Sequence, residues 1–191
     1  MLVFSRDGHL DPKNKVVHSY EEIGKHAQAC RVLGARIVCT IGSWDVLHIG
    51  HVRYLIEASR YGDVLIVGVD SDVSVKLYKG EGRPIIPQLE RIEMVSYIGV
   101  VNMVTLITDV DQGGRWQYGL LQAVRPDVFI AVEDSYPEEQ RRDIREYVGN
   151  LIVLPRQAEN TSSTDIIQRI IKSELLHQIK DREAEQVGDG Q

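Results

Sequence analysis

At 191 residues, with 43% hydrophobic and 26% charged positions, the chain has the make-up of one globular domain able to bury a core, which excludes global disorder, a collagen-like fibre and a disulfide scaffold. Its formal charge of −6, from 22 Lys and Arg against 28 Asp and Glu, argues against nucleic-acid or anionic-membrane binding and leaves small-molecule chemistry or protein partners. No apolar run reaches the length of a membrane span, and Arg6 and Asp7 interrupt the N-terminus too early for a signal peptide, so a cytoplasmic protein is expected.

In chain order, residues 1–17 read as an irregular arm and Tyr20 to Leu33 as a helix, so that 1–34 stand before a domain at 35–180 and a flexible polar tail at 181–191. Five short runs rich in β-branched residues then recur, at Ile37–Ile41, Val64–Val69, Met103–Ile107, Val128–Val132 and Leu151–Leu154. Each is too short for a helix and too uniformly apolar for a half-exposed strand. Helical periodicity fills the gaps between them, at His51–Arg60, Pro87–Ile98, Arg115–Val124, Pro137–Val148 and Thr164–Ile179. Repeated βα units of this kind predict an α/β fold, a Rossmann-like, open, mainly parallel five-stranded sheet with helices on both faces. Gly62 is expected to end the helix before it, and Ser162 with Asp165 to cap the last one. The apolar stripe of that last helix, from Ile166 to Ile179, is expected to face the core or a second subunit. Cys30 and Cys39 lack metal or redox spacing and read as small buried hydrophobes.

In an open α/β sheet ligands gather beyond the carboxyl ends of the strands. The first such loop, Thr40-Ile41-Gly42-Ser43-Trp44-Asp45-Val46-Leu47-His48-Ile49-Gly50-His51, leaves a buried strand and enters a helix. Free backbone N–H groups and a helix dipole there favour a phosphate. His48 and His51 share one side of the first helical turn, and Gly50 between them leaves room for a phosphate chain. Imidazole N–H donors at that place can stabilise charge that builds during phosphoryl transfer. A zinc site there lacks a third ligand at a matching spacing, and His9, His18, His26 and His177 read as solvated. The loop after the second strand carries Lys76, Lys79 and Arg83, with Arg91 just beyond, a positive stretch able to fold over the same sheet edge.

Taken together, Gly42-x-x-Asp45-x-x-His48-x-Gly50-His51, Gly62-Asp63, Ser71-Asp72, Lys76-x-x-Lys79-Gly80-x-x-Arg83-Pro84 and Leu89-x-Arg91 resemble the cytidylyltransferase-like nucleotidyltransferases, within the His-x-Gly-His superfamily, and most nearly the heptose 1-phosphate adenylyltransferase type. The resemblance runs from about residue 15 to 172. It implies transfer of a nucleoside monophosphate, AMP favoured and CMP the alternative, from ATP or CTP to a phosphorylated small molecule, with Mg2+ as cofactor and pyrophosphate released. Residue by residue it implies His48, His51 and Lys79 as catalytic groups. Nucleotide or phosphate contacts fall to Ile41, Gly42, Ser43, Trp44, Asp45, Gly50, Lys76, Arg83, Arg91 and Glu133, with Thr161, Ser162, Ser163 and Thr164 at the start of the last helix. Asp45 is also implied beside Mg2+, and a homodimer built on apolar helix faces is implied for the assembly. Three places depart from the family pattern, at Trp44, Asn160 and Glu133. They motivate a second expectation, a nucleotide-binding sensor or scaffold without turnover.

Overall fold

The five apolar runs become five strands, β1 (Ile37–Gly42), β2 (Val64–Asp70), β3 (Met103–Ile107), β4 (Val128–Val132) and β5 (Asn150–Leu154). A computed structural model of the chain describes residues 11–111 and 115–188. All strand pairs are parallel and the order across the sheet is β3-β2-β1-β4-β5. The chain therefore moves one way from β1 to β2 and β3, then crosses back to β4 and β5, which leaves a switch point between β1 and β4.

Seven helices cover the sheet among the described residues: α1 (Tyr20–Val32), α2 (Ile49–Ser59), α3 (Asp72–Lys79), α4 (Gln88–Ser96), α5 (Gly119–Val124), α6 (Glu138–Arg145) and α7 (Ser163–Gly188). Continuous apolar strands bury both faces, and each face has its own core. Ile23, Ile37, Cys39, Trp116, Leu120, Phe129 and Ile144 belong to one, and Val38, Trp44, Leu55, Val67, Val95 and Ile130 to the other. The α/β fold expected from the sequence is thus the observed one.

Several expectations need correction. The basic stretch after β2 is not wholly a loop, because Ser71 caps α3 by accepting from the Ser74 N–H, which carries Lys76 and Lys79 on a helix. The segment from Arg115 does not begin a helix: Trp116 pairs with Val110 as an isolated bridge, Tyr118 lies at φ +60°, and α5 starts only at Gly119. Gly62 lies outside α2, and a Cβ there would meet the Arg36 carbonyl oxygen at 2.7 Å, so close approach of two backbones explains it. The Ser162–Asp165 capping box is present. Beyond it α7 continues through Asp181 to Gly188, where a frayed tail was expected; residues 189–191 lie outside the described ones. The core-facing alternative for the α7 stripe fails, since Ile170, Ile171, Leu175, Leu176 and Ile179 are each 50% or more exposed. Cys39 is buried as expected and Cys30 only half-buried.

Residues 11–34 do not stand apart from the domain. Ile23 and Ala27 of α1 are fully buried in the core shared with β1, and Val17 N–H donates to the Val104 carbonyl at 2.8 Å. The expected arm at 1–10 lies outside the described residues. Tyr20 adds a polar tie: its hydroxyl donates to Asp109 at 2.6 Å, and the other oxygen of Asp109 receives the Gly119 N–H that starts α5.

Candidate active site

At the carboxyl edge of β1 the chain turns sharply into α2, and that turn is held from all sides. Trp44 and Val46 sit in the left-handed region, at φ +52° and +48°. Non-glycine residues, a β-branched valine above all, stay there only where the surroundings overdetermine the backbone. Asp45 supplies much of that. Its carboxylate is fully buried and accepts from Arg83 Nε at 2.6 Å and from the N–H groups of Ile85 and Ile86 at 3.0 and 2.9 Å. Burial works to raise its pKa, but the Ile86 and Ile85 N–H groups and the Arg83 guanidinium outweigh it, and the net shift is downward. The Asp45 carbonyl accepts from Ser163 Oγ at 2.5 Å, which pins the start of α7 to the same turn. Trp44 turns inward, 4% exposed, its Nε1 donating to the Gly68 carbonyl at 2.8 Å.

Histidines 48 and 51 begin α2 by capping it reciprocally. His48 Nδ1 accepts from the Gly50 N–H at 3.1 Å, and His51 Nδ1 accepts from the His48 N–H at 3.4 Å. A ring nitrogen that accepts cannot carry the proton, so both rings are neutral with N–H on Nε2. The rings lie 4.0 Å apart, centroid to centroid. Burial, then the neighbouring His48 and Lys79, push the His51 pKa down to about 3, and burial followed by Arg156 lowers that of His48. Gly50 leaves the space they need, because a Cβ there would meet His48 Cε1 at 2.8 Å and Ala158 Cβ at 2.9 Å.

Both histidines line a cleft of about 870 Å³ that runs around the carboxyl edge of the sheet. Ile41, Gly42, Ser43, Trp44, Gly50, Lys79 and Thr161 line it as well. Lys79 Nζ donates to Ser43 Oγ at 2.7 Å, and burial lowers its pKa, helped by Arg83. Buried Tyr54 braces the wall, its hydroxyl shared between Thr40 Oγ1 at 2.8 Å and the Ile130 carbonyl at 2.9 Å.

The remaining expected residues do not reach the cleft. Arg91 is fully buried on α4, its guanidinium donating to the carbonyls of Ser43, Asp70 and Ile86 and to Asp72. It braces the loops and has no route to a phosphate. Arg83 is turned onto Asp45, and Lys76 points to solvent near Glu81. Ser162 and Ser163 spend their hydroxyls on Asp165 and Asp45, and Thr164 is exposed. In place of Glu133 the following Asp134, Ser135 and Tyr136 line the cleft. Asp45 does not fit a metal ligand, its oxygens being taken by three donors, and among the described residues no group of three His, Cys, Asp or Glu could hold a metal.

Three elements of the site escaped sequence reasoning. Arg156, after β5, lines the cleft and pairs with Asp134. Trp116, Tyr118 and Tyr136 form an aromatic wall, with Trp116 and Tyr118 centroids 4.6 Å apart. Asp70, the last residue of β2, lines the cleft as well. The wall belongs to the core opposite the one that holds Trp44 and Tyr54, so the cleft has one lobe on each side of the sheet.

Comparison with known proteins agrees with this architecture. The cytidylyltransferase-like family profile matches residues 39–169. The bifunctional protein HldE of Aliarcobacter butzleri is 34% identical over 166 residues, covering 87% of this chain and 33% of the relative, and that of Desulfatibacillum aliphaticivorans is 37% identical over 153 residues, covering 78% and 30%. The chain thus spans about a third of the length of these relatives. Among solved structures, a lipopolysaccharide core biosynthesis protein of Thermoplasma volcanium superposes with a TM-score of 0.55 at 26% identity, covering 64% of this chain and 98% of that one. A pantoate-beta-alanine ligase of Francisella tularensis shares the fold, with a TM-score of 0.53 at 15% identity over 79% and 74% of the two chains.

Proposed function

The chain belongs to the cytidylyltransferase-like family, and from that premise we propose that it is an enzyme moving a nucleoside monophosphate from a nucleoside triphosphate to the phosphate of a small sugar or polyol phosphate. ATP is the favoured donor, in line with the HldE likeness, and CTP the alternative. The observation that carries the reading is the reciprocal cap, which leaves two neutral imidazoles with Nε2–H donors beside a glycine and the first turn of α7.

An oxygen of the acceptor phosphate attacks the α-phosphorus, a new P–O bond forms, the bond to the bridging oxygen breaks, and pyrophosphate departs with that electron pair. The dianionic acceptor is already a nucleophile, so no side chain needs to attack. Catalysis then rests on alignment and on meeting charge as it moves to the leaving group. His48 and His51 donate to triphosphate oxygens, Arg156 adds charge in the lobe beside β5, and Lys79 holds the acceptor phosphate from the β2 side. A lysine whose pKa burial has lowered regains its proton's full worth when an anion arrives. Any Mg2+ accompanies the triphosphate, since Asp45 offers it no free oxygen. The exposed stripe of α7 is where a homodimer is proposed.

Pyrophosphate release, measured for ATP and CTP against a panel of sugar and polyol phosphates, tests the reaction. Replacement His48→Ala is expected to lower turnover by about 10²- to 10³-fold, the cost of one well-placed oxyanion donor. A fully active His48→Ala enzyme overturns the assignment, and nucleotide binding without turnover across the panel favours the sensor.

A further inference from the structure

One carboxylate in the cleft takes no part in that chemistry. Asp70 ends β2 and lines the cavity on the Lys79 side. Its backbone cannot shift, because it pairs in register with Ile107 and its carbonyl receives Arg91 Nη2 at 2.7 Å. Oδ2 accepts from the Tyr78 hydroxyl at 2.6 Å, whereas among the described residues no donor meets Oδ1. Asp70 is only partly buried, so Oδ1 opens onto the wall of a ligand-sized cavity, where a ligand that covers it without offering a donor bears the cost of its lost hydration.

The chemistry of the missing donor follows from the neighbours. Burial, with Asp109 adding a little, raises the Asp70 pKa against the pull of Tyr78, Arg91 and Lys79. Asp72 already pairs with Arg91, and Lys79 is the cation on the cleft beside Asp70, so an added ammonium group would be repelled by Lys79 whereas a neutral O–H donor would not. Ile107, Val110, Trp116 and Tyr136 line the cavity beyond it with aliphatic and aromatic surface, which suits the C–H faces of a carbon skeleton. Lys79, held against Ser43, stands ready for a phosphate on the same molecule.

We infer that Asp70 is a specificity-determining residue of the acceptor site, accepting a hydrogen bond from a hydroxyl on the carbon skeleton of the acceptor phosphate. The word acceptor rests on the nucleotidyltransferase reading; the binding preference does not. A site built to receive a hydroxyl rejects the analogue that lacks it, because the bound analogue covers the carboxylate oxygen and gives it no donor.

Calorimetric titration of the full chain with glycerol 3-phosphate, ribose 5-phosphate and propyl phosphate separates the cases, since propyl phosphate has the phosphate but no hydroxyl. The wild-type chain is expected to bind at least one hydroxylated probe about 10-fold or more tightly than propyl phosphate, the range for a hydrogen bond to a charged group. In Asp70→Leu that preference falls below about 3-fold, and in Asp70→Asn, which preserves shape and the Tyr78 contact, it weakens, while ATP affinity stays within 2-fold in both. If Asp70→Leu does not fold, Asp70→Asn alone decides. Equal binding of the three probes, an undiminished preference in the variants, or tighter binding of phosphoethanolamine than of glycerol 3-phosphate overturns the inference. Absence of pyrophosphate release overturns the proposed reaction and leaves this preference to stand or fall by itself.

Discussion

His48 and His51 owe their protonation to the helix they begin. Each Nδ1 is consumed in capping α2, which fixes the tautomer before any ligand arrives. For His51 the folded pKa of about 3 lies well below its ordinary 6.5. Between those values the unfolded chain binds the extra proton, so this group withdraws stability as pH falls, by about 2 kcal/mol between pH 7 and pH 5. Thermal melts of the ligand-free protein at the two pH values should show a larger drop for the wild type than for His51→Asn; equal drops remove the premise of two neutral donors. Asp45 gives a second residue-scale outcome. As a brace and not a metal ligand, Asp45→Asn should lower stability by about 2–4 kcal/mol in urea unfolding, leaving Arg83 short of its partner, while the magnesium dependence of any turnover keeps its midpoint. The histidines were legible in the sequence because spacing and glycine lie within one short loop. Asp70, Arg156 and Trp116 were not, since strands far apart in the chain bring them together. The four basic residues after β2 were visible as charge and as part of the family resemblance, and neither gives a direction: Lys79 turns to the cleft, Arg83 to Asp45, Arg91 to the interior and Lys76 to water.

Arg91 shows how one helix holds a site it never touches. From α4 it reaches the Ser43 carbonyl in the β1–α2 turn and the Asp70 carbonyl at the end of β2, so three elements share one guanidinium. Removing a buried, fully bonded charge leaves several acceptors without donors, and Arg91→Ala should cost about 3–5 kcal/mol, read from the shift in urea midpoint. An unchanged midpoint would mean the loops hold their shape without it. At this scale the strands were read almost to the residue, because burial on both faces writes an unbroken apolar run. Helix α3 was not, because Val73 and Leu77 face water and only Ser74 and Val75 are buried, which erases the expected stripe. The far end of α7 was missed for another reason. Asp181-Arg182-Glu183-Ala184-Glu185-Gln186 reads as polar tail, yet nearly all of these are good helix formers.

On the scale of the molecule, the order β3-β2-β1-β4-β5 places the histidine turn beside the crossing point and divides the cleft between the two faces of the sheet. Every described residue from Gln168 to Gln178 is exposed, so α7 leaves the core after its first turns. A chain ended after Lys172 should therefore keep its urea midpoint and bind ATP within about 2-fold of the full chain, while sedimentation equilibrium shows the proposed dimer lost; a collapsed midpoint would mean that α7 supports the core. The fold class could be read from alternating runs alone, whereas the aromatic lobe needed the crossing of β4 past β1 to exist. The binding of Asp45 by Arg83, Ile85 and Ile86, and of Ser43 by Arg91, reaches across some forty positions of sequence. For protein engineering this means that the turn at 42–46 and the segment at 70–91 are one cassette. A chimera that imports either half from a cousin inherits mismatched fasteners, whereas one that imports both carries its own lock and key to a new scaffold.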